Sequence, residues 1–242
     1  MEQQATPPAP PLPRTGALSR LAGVFFSPVE TFRSIAQRPT WLAPLLVWTV
    51  LSVSITTIVL PRMDWEKMIR SRMEKRGQTV PEDRLASIVE TQKRVAPVIS
   101  YVIAVATPSV ISLLIAAVLL GSFKAFGSDL TFQQSLGVAT HGFLPSVLGS
   151  LILIPILLRQ ESLDPSAIGD LLRSNLGFLV EPDSKVLHAL AQSADLFSFW
   201  SLALFVVGYA EAARVSRGKS AGIVVTLWIL FVLGKAGLAA LF

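Results

Sequence analysis

The sequence predicts an all-α integral membrane protein with five transmembrane helices, an N-terminal interfacial amphipathic helix and helical loops. Composition is the first reason. Hydrophobic residues fill 52% of the 242 positions and charged residues only 15%, whereas a soluble domain has about 25% charged residues. Apolar length is the second reason, because five apolar stretches are each long enough to cross a hydrocarbon core of roughly 30 Å as a helix.

The chain begins with a Pro-rich segment, in which five of the first thirteen residues are proline. Such a segment has little apolar surface to bury and lacks many backbone N–H donors, so residues 1–16 are predicted to be a disordered tail. From residue 17 onward, apolar residues recur at the spacing of a helix. In "SPVE", Ser27 is the expected N-cap, Pro28 the first helical residue and Glu30 the reciprocal partner of a capping box. This helix is predicted to run from 28 to 37 and to stop before Pro39.

Residues 17–38 have an apolar face beside basic residues, which is typical of helices that lie in the headgroup region of a bilayer. Phe25, Phe26 and Phe32 belong to the apolar face, and Arg33 supplies charge. We therefore predict that this segment lies flat on the membrane and is anchored by these four residues. The alternative is an ordinary amphipathic helix that packs against protein.

Residues 39–242 form the predicted membrane domain. Its five spans are expected at about 41–60, 96–123, 132–158, 196–213 and 221–241. The third span contains Pro145, which cannot donate to the carbonyl of His141, so we expect the helix to bend there.

The two long connections between spans also show helical patterns. Residues 61–95 predict two amphipathic helices, the second of which starts at a capping box of Thr79 and Glu82 and continues into the second span. Residues 159–195 predict two short helices, at about 165–173 and 184–193.

Ionisable residues inside the spans are candidates for function because a charge in lipid is costly. His141 lies near the middle of the third span, where it serves a function or is a neutral imidazole bonded to a neighbouring helix. Glu211 is expected to pair with Arg214 or with a water molecule at the membrane boundary. Lys235 lies deep in the fifth span, and the turn between the fourth and fifth spans places it about 6 Å along the axis from Asp195. We therefore predict a structural ion pair between Asp195 and Lys235.

No pattern for catalysis, a cofactor or a metal is found. Cysteine is absent, which excludes disulfides and cysteine-ligated metal sites, and neither of the two histidines has a carboxylate at ligand spacing. Phosphate-binding, dinucleotide-binding and hydrolase motifs are missing. The net charge of +5 is not arranged as a basic stripe with interleaved aromatics, so a nucleic-acid partner is not expected. The predicted partners are the lipid bilayer and other membrane proteins or a second copy.

Several segments together resemble the Yip domain family of multi-pass membrane proteins, first known as partners of Ypt/Rab GTPases. They are "RLAGVFFSPVETFRSI", "WLAPLL", "TFQQSLGVATHGFLPSVL", "NLGFL", "DLFSFWSLALFVVGY" and "GKS" followed by "LWILFVLGKAGLAALF". The resemblance implies five spans, a cytoplasmic N-terminus and a C-terminus on the far side. It also implies roles in vesicle traffic and membrane shaping, and a GTPase partner. The chain is most similar to prokaryotic-type members.

Orientation follows from the placement of positive charge. The turn "RVSRGKS" and the arginines before the first span favour a cytoplasmic N-terminus, whereas the basic residues of 61–95 oppose it. We therefore expect a multi-pass protein of the bacterial inner membrane with a cytoplasmic N-terminus. The expected function is that of a non-enzymatic membrane-organising or trafficking-type scaffold. The alternative is a small transporter or channel with a polar pathway near His141.

Overall fold

The computed structural model describes residues 16–74, 77, 81–163, 168–181 and 184–241. The predicted tail therefore lies almost entirely outside the described residues. Within them the chain forms eleven α-helices. They are α1 Ala17–Phe26, α2 Pro28–Gln37, α3 Leu42–Val59, α4 Trp65–Glu74, α5 Glu82–Ala125, α6 Phe132–Gly142, α7 Leu144–Leu158, α8 Ile168–Leu171, α9 Lys185–Ser193, α10 Leu196–Ala213 and α11 Arg217–Leu241.

The five predicted spans are confirmed. Five helical segments are long and apolar enough to cross a membrane: α3, α5, α6 together with α7, α10, and α11. The described residues contain no β-strand, only two isolated bridges. The fold is all-α and of the membrane type, and the span at 196–213 has the bounds that the sequence predicts.

The core of the bundle lies between α6 and α10. Eight consecutive residues of α6, from Ser135 to Gly142, are buried, so this helix is surrounded by protein on all sides. α6 packs against α5 and α10, and α10 also packs against α2, α7 and α11. The ring of Phe123 from α5 stacks on Tyr209 from α10, with centroids 5.1 Å apart. α3 and α11 are the least buried of the five spans, as expected for helices that face lipid.

The third span is interrupted, as its proline predicts. α6 ends at Gly142 and α7 begins at Leu144, with Phe143 between them. Pro145 has no N–H to give to the carbonyl of His141, which instead accepts from the backbone of Phe143. The break therefore lies two residues before the proline.

The bundle has two distinct ends. At one end, Lys219 donates to the carbonyl of Phe126 at 2.9 Å, which joins the α5–α6 turn to the start of α11. The end of α2 lies here as well. At the other end, the N–H of Leu163 donates to the carbonyl of Arg62 at 2.7 Å, which joins the connection after α3 to the one after α7. We call the first of these the hairpin end, because α1 and α2 form a helical hairpin there. We call the described part of residues 159–195 the cap, and the end of the bundle where it lies the cap end.

Beyond the cap end, α4 packs along the first turns of α5. Trp65 and Ile69 are the buried residues of α4, which confirms its predicted apolar face. Arg70 joins the two helices by binding Glu66 at 2.9 Å and Glu82 at 3.3 Å. The hydrogen bond that Arg70 donates to Glu66, followed by the one that it donates to Glu82, raises the pKa of Arg70 above its usual value.

The prediction that the second helix of residues 61–95 continues into the second span is confirmed, because α5 runs unbroken for 44 residues. Of its predicted capping box only Glu82 belongs to the described residues, because Thr79 lies outside them. α5 begins at Glu82 after Pro81, without a side-chain cap. In the cap, the predicted helix at 184–193 is confirmed as Lys185–Ser193. The helix expected at about 165–173 is described only from Ile168 to Leu171.

Candidate functional site

The N-terminal helices α1 and α2 form a re-entrant hairpin, meaning that they enter the bundle and return to the same end. Arg33 of α2 pairs with Glu211 of α10 at 3.1 Å. The ring of Phe25, just before α2, contacts that of Trp200 with centroids 5.5 Å apart. Positions 200 and 211 are eleven residues apart on α10, or about 16 Å along the helix. α2 therefore runs alongside α10 instead of lying across the end of the bundle.

The prediction that residues 17–38 lie flat on the membrane is wrong for α2. Phe32, one of the predicted anchors, and Ile35 of the same helix are 0% exposed and belong to the core of the bundle. Val24 of α1 belongs to the same core. The apolar face of this helix is satisfied by α10 and α6, so the alternative of a helix packed on protein describes it.

Two glycines allow α2 to approach the bundle closely. A Cβ atom on Gly208 of α10 would lie 2.9 Å from the ring of Phe32 and 2.6 Å from Val138. A Cβ on Gly137 of α6 would lie 2.9 Å from Ile35. Because such distances are below ordinary van der Waals contact, only glycine fits at these positions.

The tip of the hairpin is the single residue Ser27, and the predicted capping box is not formed there. The N–H of Ser27 donates to the carbonyl of Gly23 at 2.7 Å and so ends α1. Glu30 therefore has no free N–H to accept from, and the Ser27 side chain makes no cap. The predicted bounds of α2, from Pro28 to Gln37, are confirmed.

A buried arginine holds the open side of the hairpin together. Arg20 of α1 is only 6% exposed. Its guanidinium donates to the carbonyl of Arg38 and the hydroxyl of Thr40, both at 2.8 Å, and to the hydroxyl of Ser34 at 3.0 Å. These bonds join α1 to the end of α2 and to the linker before α3. The planar guanidinium can satisfy several acceptors at once, which lysine cannot do in the same geometry.

Arg33 and Glu211 make the polar contact between the hairpin and α10. The Arg33 Nε lies 3.1 Å from Oε2 of Glu211, and Nη2 lies 3.5 Å from Oε1. The prediction that Glu211 pairs with Arg214 is wrong. Arg214 ends α10 in the left-handed conformation with φ 54°, and the carboxylate is turned to α2.

The remaining predicted anchors differ in exposure. Phe26 is 86% exposed and Leu18 is 81% exposed, whereas Phe25 is half-buried against Trp200. Phe26 lies at the tip of the hairpin, beside the deeper part of the bundle, while Leu18 lies nearer its open side. Contact of Phe26 with lipid stays a prediction, but the acyl region, not the headgroup region, is now the expected surroundings.

A second polar contact ties the hairpin to α6. Thr131 and Gln134 form a reciprocal capping box at the start of α6, with Thr131 N–H donating to Gln134 Oε1 at 2.9 Å and Gln134 N–H donating to Thr131 Oγ1 at 3.3 Å. The same Gln134 side chain donates to the carbonyl of Ala36 at 2.8 Å. Sequence reasoning missed this box, although "TFQQ" matches the pattern.

A buried hydroxyl network links three spans at the level of the hairpin. Ser135 of α6 donates to the carbonyl of Ala116 of α5 at 2.7 Å. Its single proton is then used, so the hydroxyl of Tyr209 of α10 donates to the Ser135 oxygen at 2.8 Å, with the Ser135 carbonyl as a second acceptor at 3.2 Å. Tyr209 is fully buried. Neither residue was singled out from the sequence, because a lone Ser and Tyr in apolar helices have no motif.

His141 is 1% exposed, and its Nδ1 lies 2.8 Å from the carbonyl of Gly137. Since a carbonyl only accepts, Nδ1 carries the proton and the imidazole donates to its own helix. The expected bond to a neighbouring helix is therefore wrong. A cavity of about 290 Å³ lies between α4 and α5 and is lined in part by Glu66, Glu90 and Leu85, but not by His141.

The predicted ion pair between Asp195 and Lys235 is not formed. Asp195 is instead the N-cap of α10, accepting from the N–H of Ser198 at 2.8 Å, and its other oxygen accepts from the hydroxyl of Ser174. Lys235 reaches the expected level but donates to Ser193 at 3.4 Å. Both carboxylate oxygens of Asp195 therefore accept hydrogen bonds from nearby residues, so the carboxylate is satisfied without Lys235. Among the described residues no group of histidines and carboxylates could hold a metal.

Comparison with known proteins assigns the chain to a family. The family model described as the Yip1 domain matches residues 22–238, which run from the second half of α1 through α2, the cap and the five spans to three residues before the end of α11. No curated protein and no solved structure gives a significant match. The matched range covers nearly the whole chain, so the protein belongs to the Yip1 domain family.

Proposed function

We propose that this protein is a non-enzymatic scaffold that organises or bends the membrane around its re-entrant hairpin. The observation that carries the proposal is the position of α1 and α2, which occupy the bundle only from the hairpin end to the level of Trp200. Nearer the cap end, α3, α5, α7, α10 and α11 continue without them.

Unequal cross-section is the physical basis. Two additional helices that begin at the hairpin end and stop short of the cap end displace more lipid at the hairpin end, which favours a membrane that curves toward the opposite side. The exposed Phe26 at the tip and Leu18 near the open side offer acyl chains an apolar surface. The hairpin is held by specific contacts, through Arg33, Gln134 and Arg20, so the added volume is fixed in place.

The proposal includes an orientation. The hairpin end holds Arg33, Arg38, Lys124, Arg214, Arg217 and Lys219 beside short turns. Positive charge in short loops favours the cytoplasm, so the proposal puts the hairpin end at the cytoplasmic face of a bacterial inner membrane.

Curvature sorting of the full-length protein tests this function. Labelled protein is reconstituted into vesicles from which narrow membrane tubes are pulled, and its density on the tube is compared with that on the flat parent membrane. We expect enrichment on tubes whose curvature matches a protein that is wider at the hairpin end than at the cap end. Equal density on tube and parent would contradict the proposal.

Variants that loosen the hairpin provide the control. Arg33→Glu places two carboxylates against each other and is expected to reduce the enrichment, while the charge-swapped double variant with Glu211→Arg restores it. Lys124→Glu, an exposed charge reversal at the same end, should leave sorting unchanged.

The transporter alternative receives no support from His141. Its ring lies in the packed core and its Nδ1 is bonded within α6. A solute pathway requires polar groups that meet water at mid-membrane.

A further inference from the structure

The cap is a folded unit that is attached to the bundle at several points. The N–H of Leu176 donates to the carbonyl of Ala191 at 3.2 Å, which holds the 3-10 turn Gly177–Leu179 against α9. The N–H of Leu196 donates to the carbonyl of Ser174 at 2.9 Å, which joins the cap to the start of α10. α9 also packs along α11.

Despite these bonds, the cap exposes large apolar side chains. Five of them are between 40% and 68% exposed: Leu176, Phe178, Leu179, Val186 and Leu187. Soluble surfaces rarely collect such residues in one short segment unless something covers them.

The depth of the cap is set by Lys235. This residue follows Arg217, the first residue of α11, by 18 positions, or about 27 Å along the helix. Since the hydrocarbon core is about 30 Å thick, Lys235 lies close to its far boundary. Its amine donates to Ser193, the last residue of α9, so the end of α9 lies at the same level.

The cap adjoins a span that exposes large apolar side chains of its own. α9 packs on α11, whose neighbouring Leu233 and Leu238 are about as exposed as Leu187. Arg173 is exposed and its guanidinium lies 5.6 Å from the ring centroid of Phe178. An arginine over an aromatic ring at this level is placed to reach lipid phosphates while the ring remains in the acyl region.

We propose that the cap is a second membrane-contact element, with Phe178, Leu179, Val186 and Leu187 inserted at the boundary between headgroups and acyl chains at the cap end. The occupant of this apolar face is lipid. Each end of the protein thus carries an element in contact with lipid, the hairpin at one end and the cap at the other. This inference does not depend on the scaffold function.

Spin labelling tests the proposal directly, because the chain has no cysteine and a single introduced one is labelled alone. Leu179→Cys and Leu187→Cys are prepared in the full chain, labelled with a nitroxide and reconstituted into phosphatidylethanolamine and phosphatidylglycerol vesicles. Power saturation then measures collisions with oxygen, which concentrates in the bilayer, and with a water-soluble nickel chelate. Leu230→Cys in α11 is the lipid reference, and Ser184→Cys, at an exposed polar position before α9, is the water reference.

We expect labels at 179 and 187 to show a several-fold loss of nickel accessibility relative to Ser184→Cys, while oxygen accessibility stays high. Nickel accessibility equal to that at Ser184 would overturn the proposal, because the face would then be in water. Exclusion of both reagents would also overturn it, since protein and not lipid would cover the face. Phe178→Cys and Val186→Cys test the same surface if either first variant fails to fold.

Discussion

Arg33 and Glu211 are 178 residues apart in sequence, yet their side chains meet at 3.1 Å across α2 and α10. The arginine side chain is 52% exposed and the carboxylate 20%, so the pair lies at the edge of the bundle and not in its core. It therefore fixes the register of the hairpin on α10, while burial of Phe32 and Ile35 supplies most of the stabilisation.

Reversing this pair gives the first prediction. Arg33→Glu alone or Glu211→Arg alone should lower the free energy of unfolding by about 1 kcal/mol, because like charges then face each other. The double variant should recover most of that loss. Midpoints of SDS-induced unfolding in detergent micelles, followed by tryptophan fluorescence, provide the measurement. Additive losses would show that the two side chains do not interact, and Lys124→Glu serves as a control for net charge.

The second prediction separates a re-entrant hairpin from a flat one. Phe32→Ala should cost about 3–5 kcal/mol, because the ring fills the space that Gly208 leaves open. Phe26→Ala should cost much less, since that ring is 86% exposed. The same unfolding assay measures both. Equal effects of the two substitutions would contradict the packing of α2 in the core.

The spans were predictable because about twenty consecutive apolar residues are enough to cross the hydrocarbon core as a helix. The hairpin was not, since a ten-residue amphipathic helix has the same periodicity whether its apolar face meets lipid or α10. Glu211 was assigned to Arg214 because sequence reasoning sees only neighbours along the helix. Its partner comes from a helix almost the whole chain away. The capping box of Thr131 and Gln134 was not predicted, although "TFQQ" has the sequence pattern of such a box.

The third prediction concerns Asp195 and Lys235, which the structure keeps apart. Asp195→Ala should cost about 1 kcal/mol through loss of the α10 N-cap. Lys235→Met should be close to neutral, because the lysine makes only a 3.4 Å bond to Ser193 and removing its charge from the span is favourable. The two effects should add in the double variant. A coupling energy of about 1 kcal/mol or more in this cycle would instead show a direct ion pair.

The last prediction tests the hydroxyl network between α5, α6 and α10. Tyr209→Phe keeps the ring stacked on Phe123 but removes the donor to Ser135. Polar contacts between membrane helices contribute about 0.6 kcal/mol on average and up to about 1.7 kcal/mol, and we expect the upper part of this range because Tyr209 is fully buried.

Ser135→Ala supplies the partner measurement. In that background the cost of Tyr209→Phe should fall but not vanish, because the Ser135 carbonyl still accepts from the tyrosine at 3.2 Å. Tyr101→Phe is the matched control, since its hydroxyl contacts Thr57 at 3.2 Å in an exposed position where lost bonds are more easily replaced. SDS unfolding midpoints compare all variants. If Tyr209→Phe were no more costly than Tyr101→Phe, the network would not be holding the three spans together.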